Sequence, residues 1–165
     1  MKTTLRFLQL FSLGAWVGWI FYFSVAVAPG VFRLLGQDQA GLVVEFTLWR
    51  LHVMGEIGAV IFLLATAGLA LSSADAGKKL LLPAAGVSFM LVLTLISQHV
   101  VIRRMISLRR AMVSVSATPL SSPLRAEFDR LHGISVDLEG AVLLIGFASF
   151  FQAVRNGGSS IRDSE

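Results

Sequence analysis

Four apolar stretches alternate with short polar breaks along the chain, at about 7–28, 51–72, 80–102 and 132–154. Each is long enough, at 1.5 Å per helical residue, to cross a bilayer core of about 30 Å. The breaks "GQDQAG" at 36–41, "SSADAGKK" at 72–79 and "SATPLSSP" at 116–123 are built from turn and loop residues. Ser122-Pro123 reads as a helix cap followed by proline at the first helical position. The pattern predicts an all-α, integral membrane four-helix bundle, with helices over about 7–35, 39–72, 79–113 and 123–155. These form one domain, 1–155. The tail "NGGSSIRDSE" over 156–165 is polar and glycine-rich, and is expected to be disordered.

Two ends of these helices carry further detail. In "VVIRRMISLRRAM", Val101, Met105, Leu108 and Met112 form one stripe, and Arg103, Arg104 and Arg110 occupy the opposite half. That arrangement predicts a third helix leaving the bilayer with a solvated basic face at headgroup level. Pro29 is expected to end or kink helix 1 and leave Arg33 in the headgroups. Lys2, Arg6 and the A-x-A pattern at Ala26–Ala28 imitate a signal peptide. The apolar run is too long for one, and Pro29 follows the would-be cleavage point, so a retained helix is expected.

Composition agrees with the pattern. Hydrophobic residues make up 55% of the 165 and charged ones 15%, with a mean hydropathy of +0.76. A soluble domain carries about a quarter charged residues. The absence of cysteine excludes disulfides, thiolate metal sites and cysteine nucleophiles. A net charge of +4 suits anionic headgroups rather than nucleic acid. With four spans, Lys2, Arg6, Lys78, Lys79, Arg155 and Arg162 share one side. Arg33, Arg50, Arg103, Arg104, Arg109, Arg110, Arg125 and Arg130 share the other, which leans towards being cytoplasmic in a bacterial-type cytoplasmic membrane.

Arg-Leu-His occurs twice, at 50–52 and 130–132, each time entering an apolar stretch with carboxylates behind it. Helices 1 and 3 end in "VFRLL" and "VIRRM". Together these matches suggest two related hairpins about an axis along the membrane normal.

The three histidines fall at the same end of the expected bundle. His52 and Glu56 share a face of helix 2 at i and i+4. On helix 4, His132, Ser135 and Glu139 follow one stripe, while Asp137 points elsewhere. His99, Gln98, Arg33 and Arg50 lie at similar depth. Charge-free stretches behind the two glutamates place Glu56 near the interface and draw Glu139 a turn or more inside. The candidate polar pocket is therefore His52, Glu56, His99, His132, Ser135 and Glu139.

Ionisable residues in a span are costly and usually face a bundle interior. Three readings follow. The first is a structural network in which arginines neutralise carboxylates. The second is a pocket or path for a cation, proton or small polar solute. The third, kept as the alternative, is a haem or divalent metal held by His52 and His132. No cofactor is expected on the first two. A structural network predicts that Glu139→Gln costs little and Arg130→Ala weakens folding. A solute path predicts normal yield with lost transport for Glu139→Gln. No nucleophile carries a recognisable base and oxyanion pattern, so the reading leans away from an enzyme.

Packing motifs are plainer. "GAWVG" at 14–18 is a G-x-x-x-G, and "GEIGA" at 55–59 adds small residues to helix 2. Both predict close helix approach within the bundle, with a homo-oligomer as the other use of the motif. Trp16, Trp19 and Tyr22 are expected to meet bundle or lipid.

The stretches "LGAWVGWIFYFSVAVAPGVFRLL", "LWRLHVMG" and "EFDRLHGISVDLEG" resemble the transmembrane protein 205-like family (domain of unknown function 4149). The resemblance implies a four-span membrane protein without an assigned activity. It is carried by Trp16, Pro29, Phe32, Arg33, His52, Phe128, His132 and Ser135. Val100-Val101, where the family tends to show proline, and the two acids of "DLEG" depart from its pattern. A looser likeness to the membrane domain of copper-resistance proteins bears on the metal alternative.

Overall fold

The computed structural model describes residues 2–72 and 74–162, with side chains over 2–72 and 77–156. Four helices follow one another: α1 is Lys2–Leu34 and α2 is Gln37–Leu71. The third, α3, joins Ala74–Ile96, a π-helical turn Ser97–Ile102 and Arg103–Met112. The last, α4, is Pro123–Arg162. All four are long and apolar enough to cross a membrane. Among the described residues there is no strand. The expected disordered tail over 156–165 falls mostly outside the described side chains, and 163–165 fall outside altogether.

The helices are apolar all round, as a lipid environment requires. Phe7, Phe11, Leu64, Leu81, Leu144 and Phe151 point outward and are well exposed. Leu13, Trp16, Ile20, Phe62, Val87, Met90 and Val142 point inward and are buried. Consecutive helices pack side by side and α4 returns to α1, closing an up-down bundle. This is a multi-pass membrane protein.

Close approach depends on small residues. A Cβ on Gly55 would stand 2.2 Å from Trp16 Nε1, so the indole of α1 lies directly on the α2 backbone. A Cβ on Gly146 would meet Val17 at 2.6 Å. The G-x-x-x-G splits in use: Gly14 meets the Phe150 ring of α4, whereas Gly18 faces open space. Trp19 and Tyr22 point outward.

Two helices loosen at similar depth. Pro29 has no N–H, and its ring would crowd the Val25 carbonyl in a regular helix. The chain widens to a π turn over Phe23–Val27, and the Ala28 N–H bonds Phe23 O. In α3 the π turn Ser97–Ile102 has no proline. There the widened turn carries Ser97, Gln98, Val101 and Ile102 inward together.

The ends are tied differently. Near the chain termini, Arg6 donates to Gln9 Oε1 and to the Ala153 carbonyl, and Gln9 Nε2 donates to Thr66 Oγ1 at 2.6 Å. Gln9 and Thr66 are buried, so this is a satisfied interior network. At the opposite end the 113–122 linker is bound to Asp38. That carboxylate accepts from Ser114 Oγ at 2.8 Å, Ser116 Oγ at 2.6 Å and the Val115 N–H at 2.8 Å. Val115 is thereby tucked against Leu108 and Phe128 in a small second core. The expected stripe on the end of α3 is present: Leu108 and Val101 are buried, while Arg103, Arg104 and Arg110 are exposed.

Candidate functional site

A cavity of about 540 Å³ enters the bundle from the arginine-rich end, between all four helices. Helical spacing explains which side chains reach it. On α2, Asp38 and Glu45 are seven residues apart, as are Glu45 and His52, so all three lie on one stripe. On α4, Phe128, His132, Ser135, Glu139 and Leu143 recur at three and four. Asp38, Glu45 and Asp129 line the outer part, and Glu139, Gly140 and Leu143 lie deepest along α4. The walls are apolar and partly aromatic, with Phe23, Phe32, Phe128, Leu48 and Met105 among them.

At the inner end His52 Nε2 stands 3.1 Å from Glu139 Oε2. His52 is 1% exposed and Glu139 14%, so His52 sits behind the cavity wall and Glu139 forms part of it. With Glu139 ionised, Nε2–H donates. Glu139 Oε1 and His52 Nδ1 are buried and have no hydrogen-bond partner among the described residues. Trp16 Nε1, Glu56 Oε1, Ser97 Oγ and Gln98 Oε1 share that condition. Unpaired buried polar atoms are costly and uncommon, and here they gather midway along the helices.

The outer carboxylates are tied down. Arg109 Nη1 bonds Glu45 Oε2 at 2.7 Å across the cavity mouth. Arg125 Nε bonds Asp129 at 2.9 Å, and its guanidinium also reaches the Val115 carbonyl. Arg104 clasps Glu127 with two bonds, of 2.8 and 3.0 Å, outside the cavity. Arg130 was the arginine expected to hold the fold. It is exposed and makes no hydrogen bond or ion pair among the described residues, because it projects away from the cavity side of α4.

Of the six pocket residues expected from sequence, His132, Ser135 and Glu139 line the cavity, and His52 joins through Glu139. Glu56 borders a separate shallow depression with Ile57, Val60 and Ile61. His99 is exposed on the π turn of α3, and Asp137 is exposed on α4. Of the residues carrying the resemblance, Pro29, Phe32 and Phe128 are also in the wall. Arg33 is exposed beyond it, and Trp16 is buried in the core. His52 is buried and His132 exposed, so the two thresholds differ in surroundings. Among the described residues no three His, Asp or Glu side chains gather as a metal-holding group.

Asp38, Glu45 and Arg109 escape sequence inspection. Glu45 and Arg109 are 64 positions apart, and nothing local pairs them. The seven-residue spacing Asp38–Glu45–His52 was the one available signal.

Fold and site together define a four-span helical membrane protein with a cavity open at one end. Residues 11–114, more than half of the chain, match the family described as domain of unknown function (DUF4149), and the chain belongs to that family. No curated protein and no solved structure matches it.

Proposed function

We propose that this protein admits a small solute or ion into the cavity from its arginine-rich side and holds it against the His52–Glu139 pair. One observation carries the reading: Glu139 lines the inner end of the cavity, and its carboxyl group holds a buried histidine through one oxygen while the other is buried without a partner among the described residues. A purely structural network predicts saturated hydrogen bonding, as at Arg6–Gln9–Thr66. Within the family, the transmembrane protein 205-like subgroup is our reading, resting on "EFDRLHGISVDLEG" beyond the matched residues. A bacterial-type cytoplasmic membrane, with the arginine-rich side inward, belongs to the same proposal.

The chain has no cysteine, so a single introduced thiol reports access cleanly. Ser135→Cys places it in the cavity wall. Gly140 lines the same cavity, and a Cβ there meets nothing within 4 Å, so Gly140→Trp is the plug chosen. In lipid vesicles, methyl methanethiosulfonate is expected to label Ser135→Cys, and the plug to slow labelling about tenfold or more. A thiol inert in both backgrounds would overturn the proposal.

A further inference from the structure

We infer that the occupant of this cavity is a monovalent organic cation with an apolar body, such as a substituted ammonium. The inference rests on the proposed binding role of the same cavity and names its ligand class.

Charge is the first ground. Four carboxyl groups line the cavity, those of Asp38, Glu45, Asp129 and Glu139, against one guanidinium, that of Arg109. Arg109 is spent on Glu45, and Asp129 on Arg125 from outside the wall. Asp38 and Glu139 remain without a lysine or arginine opposite them. Asp38 is held by hydroxyls and an amide, and Glu139 by His52. Inside the rim of exposed arginines, the lining acids therefore favour a cation at two levels, Asp38 in the outer part and Glu139 at the inner end. An anionic solute would meet repulsion at both.

The wall chemistry is the second ground. A bare alkali or divalent ion needs several oxygen ligands in place of its water. The inner end offers one carboxyl group among Leu48, Leu143 and Phe23. Apolar and aromatic surfaces suit the weakly hydrated face of an alkylammonium, whose charge is attracted to ring faces as well as to a carboxylate. Glu139, the deepest acid of the wall, is the group placed to attract its charge. A phospholipid headgroup carries a phosphate that the unpaired carboxylates would repel, which favours a free cation.

Benzyltrimethylammonium is the probe, read by its protection of Ser135→Cys from the neutral reagent methyl methanethiosulfonate. Vesicles of phosphatidylethanolamine and phosphatidylglycerol keep choline headgroups out of the assay. The cation is expected to protect, while benzyl alcohol and benzenesulfonate at equal concentration do not. Glu139→Gln in the same background is expected to raise the half-protecting concentration about tenfold or more, with protection read relative to that variant's own labelling rate without probe. Equal protection by benzyl alcohol, or full protection by the cation in Glu139→Gln, would overturn the cation class and leave the cavity as a solute site. Protection by no probe, with labelling still blocked by Gly140→Trp, would also overturn it. Slower labelling on adding phosphatidylcholine would assign the cavity to lipid instead. A thiol inert even without probe would remove the binding role and this inference together.

Discussion

Two copies of one tripeptide end up in opposite surroundings. Leu51 and His52 are buried, while His132 stands in the open wall of a cavity. Arg50 lies outside, its guanidinium 3.5 Å above the Phe46 ring, and Arg130 is exposed. What distinguishes the two histidines is the neighbour across the bundle. His52 faces Glu139, and His132 faces the cavity. At Gly55 the constraint is steric, since Trp16 occupies the space that any side chain would need. Gly55→Ala is expected to lower stability by about 1–3 kcal/mol, measured by reversible unfolding in detergent, despite adding only a methyl. The arginines separate just as sharply. Arg125→Ala removes the partner of both Asp129 and the Val115 carbonyl, and is expected to cost about 1–2 kcal/mol. Arg130→Ala is expected to stay within about 0.5 kcal/mol in the same unfolding assay, because it loses only a solvent-screened attraction to Glu127.

Among the elements, the odd-numbered helices share a device that the even-numbered ones lack. Each of α1 and α3 widens into a π turn before its last segment, over Phe23–Val27 and Ser97–Ile102. The first follows from Pro29 and was readable as a kink. The second has no proline, and only the packed bundle reveals it. The recurrence fits the two-hairpin relation suggested by "VFRLL" and "VIRRM". The linker over 113–122 is the other element of consequence. Its polar sequence reads as a loose loop, yet four bonds fix it on Asp38. Asp38→Ala is expected to speed amide hydrogen exchange and proteolysis across 113–122 while leaving the transmembrane helices protected. Unchanged exchange there would show that Val115 packing alone holds the linker.

On the scale of the whole molecule, the exterior is as apolar as the core, and the buried polar groups are gathered inside it. One end is closed by a saturated network, and the other opens through a ring of charge-paired side chains. That asymmetry gives orientation a consequence, because the cavity faces only one side. If the arginine-rich side is cytoplasmic, Ser116→Cys in the linker is expected to resist an impermeant maleimide added to whole cells. Ser72→Cys at the opposite end is expected to react. The reverse labelling would turn the cavity outward.

The sequence by itself determined that the chain is a four-helix membrane protein. Hydropathy over twenty-odd residues is a property of each segment, and a bilayer selects on it before any tertiary contact forms. It also determined that His132, Ser135 and Glu139 share a face, since helical periodicity is local. Only the tertiary structure decided that Glu139 meets His52, that Glu56 and His99 lie apart from the cavity, and that Arg109 rather than Arg130 guards its mouth. The reason is physical. Periodicity fixes direction around one helix, but which helix stands opposite, and at what height, is set by how small residues and large rings fit between backbones.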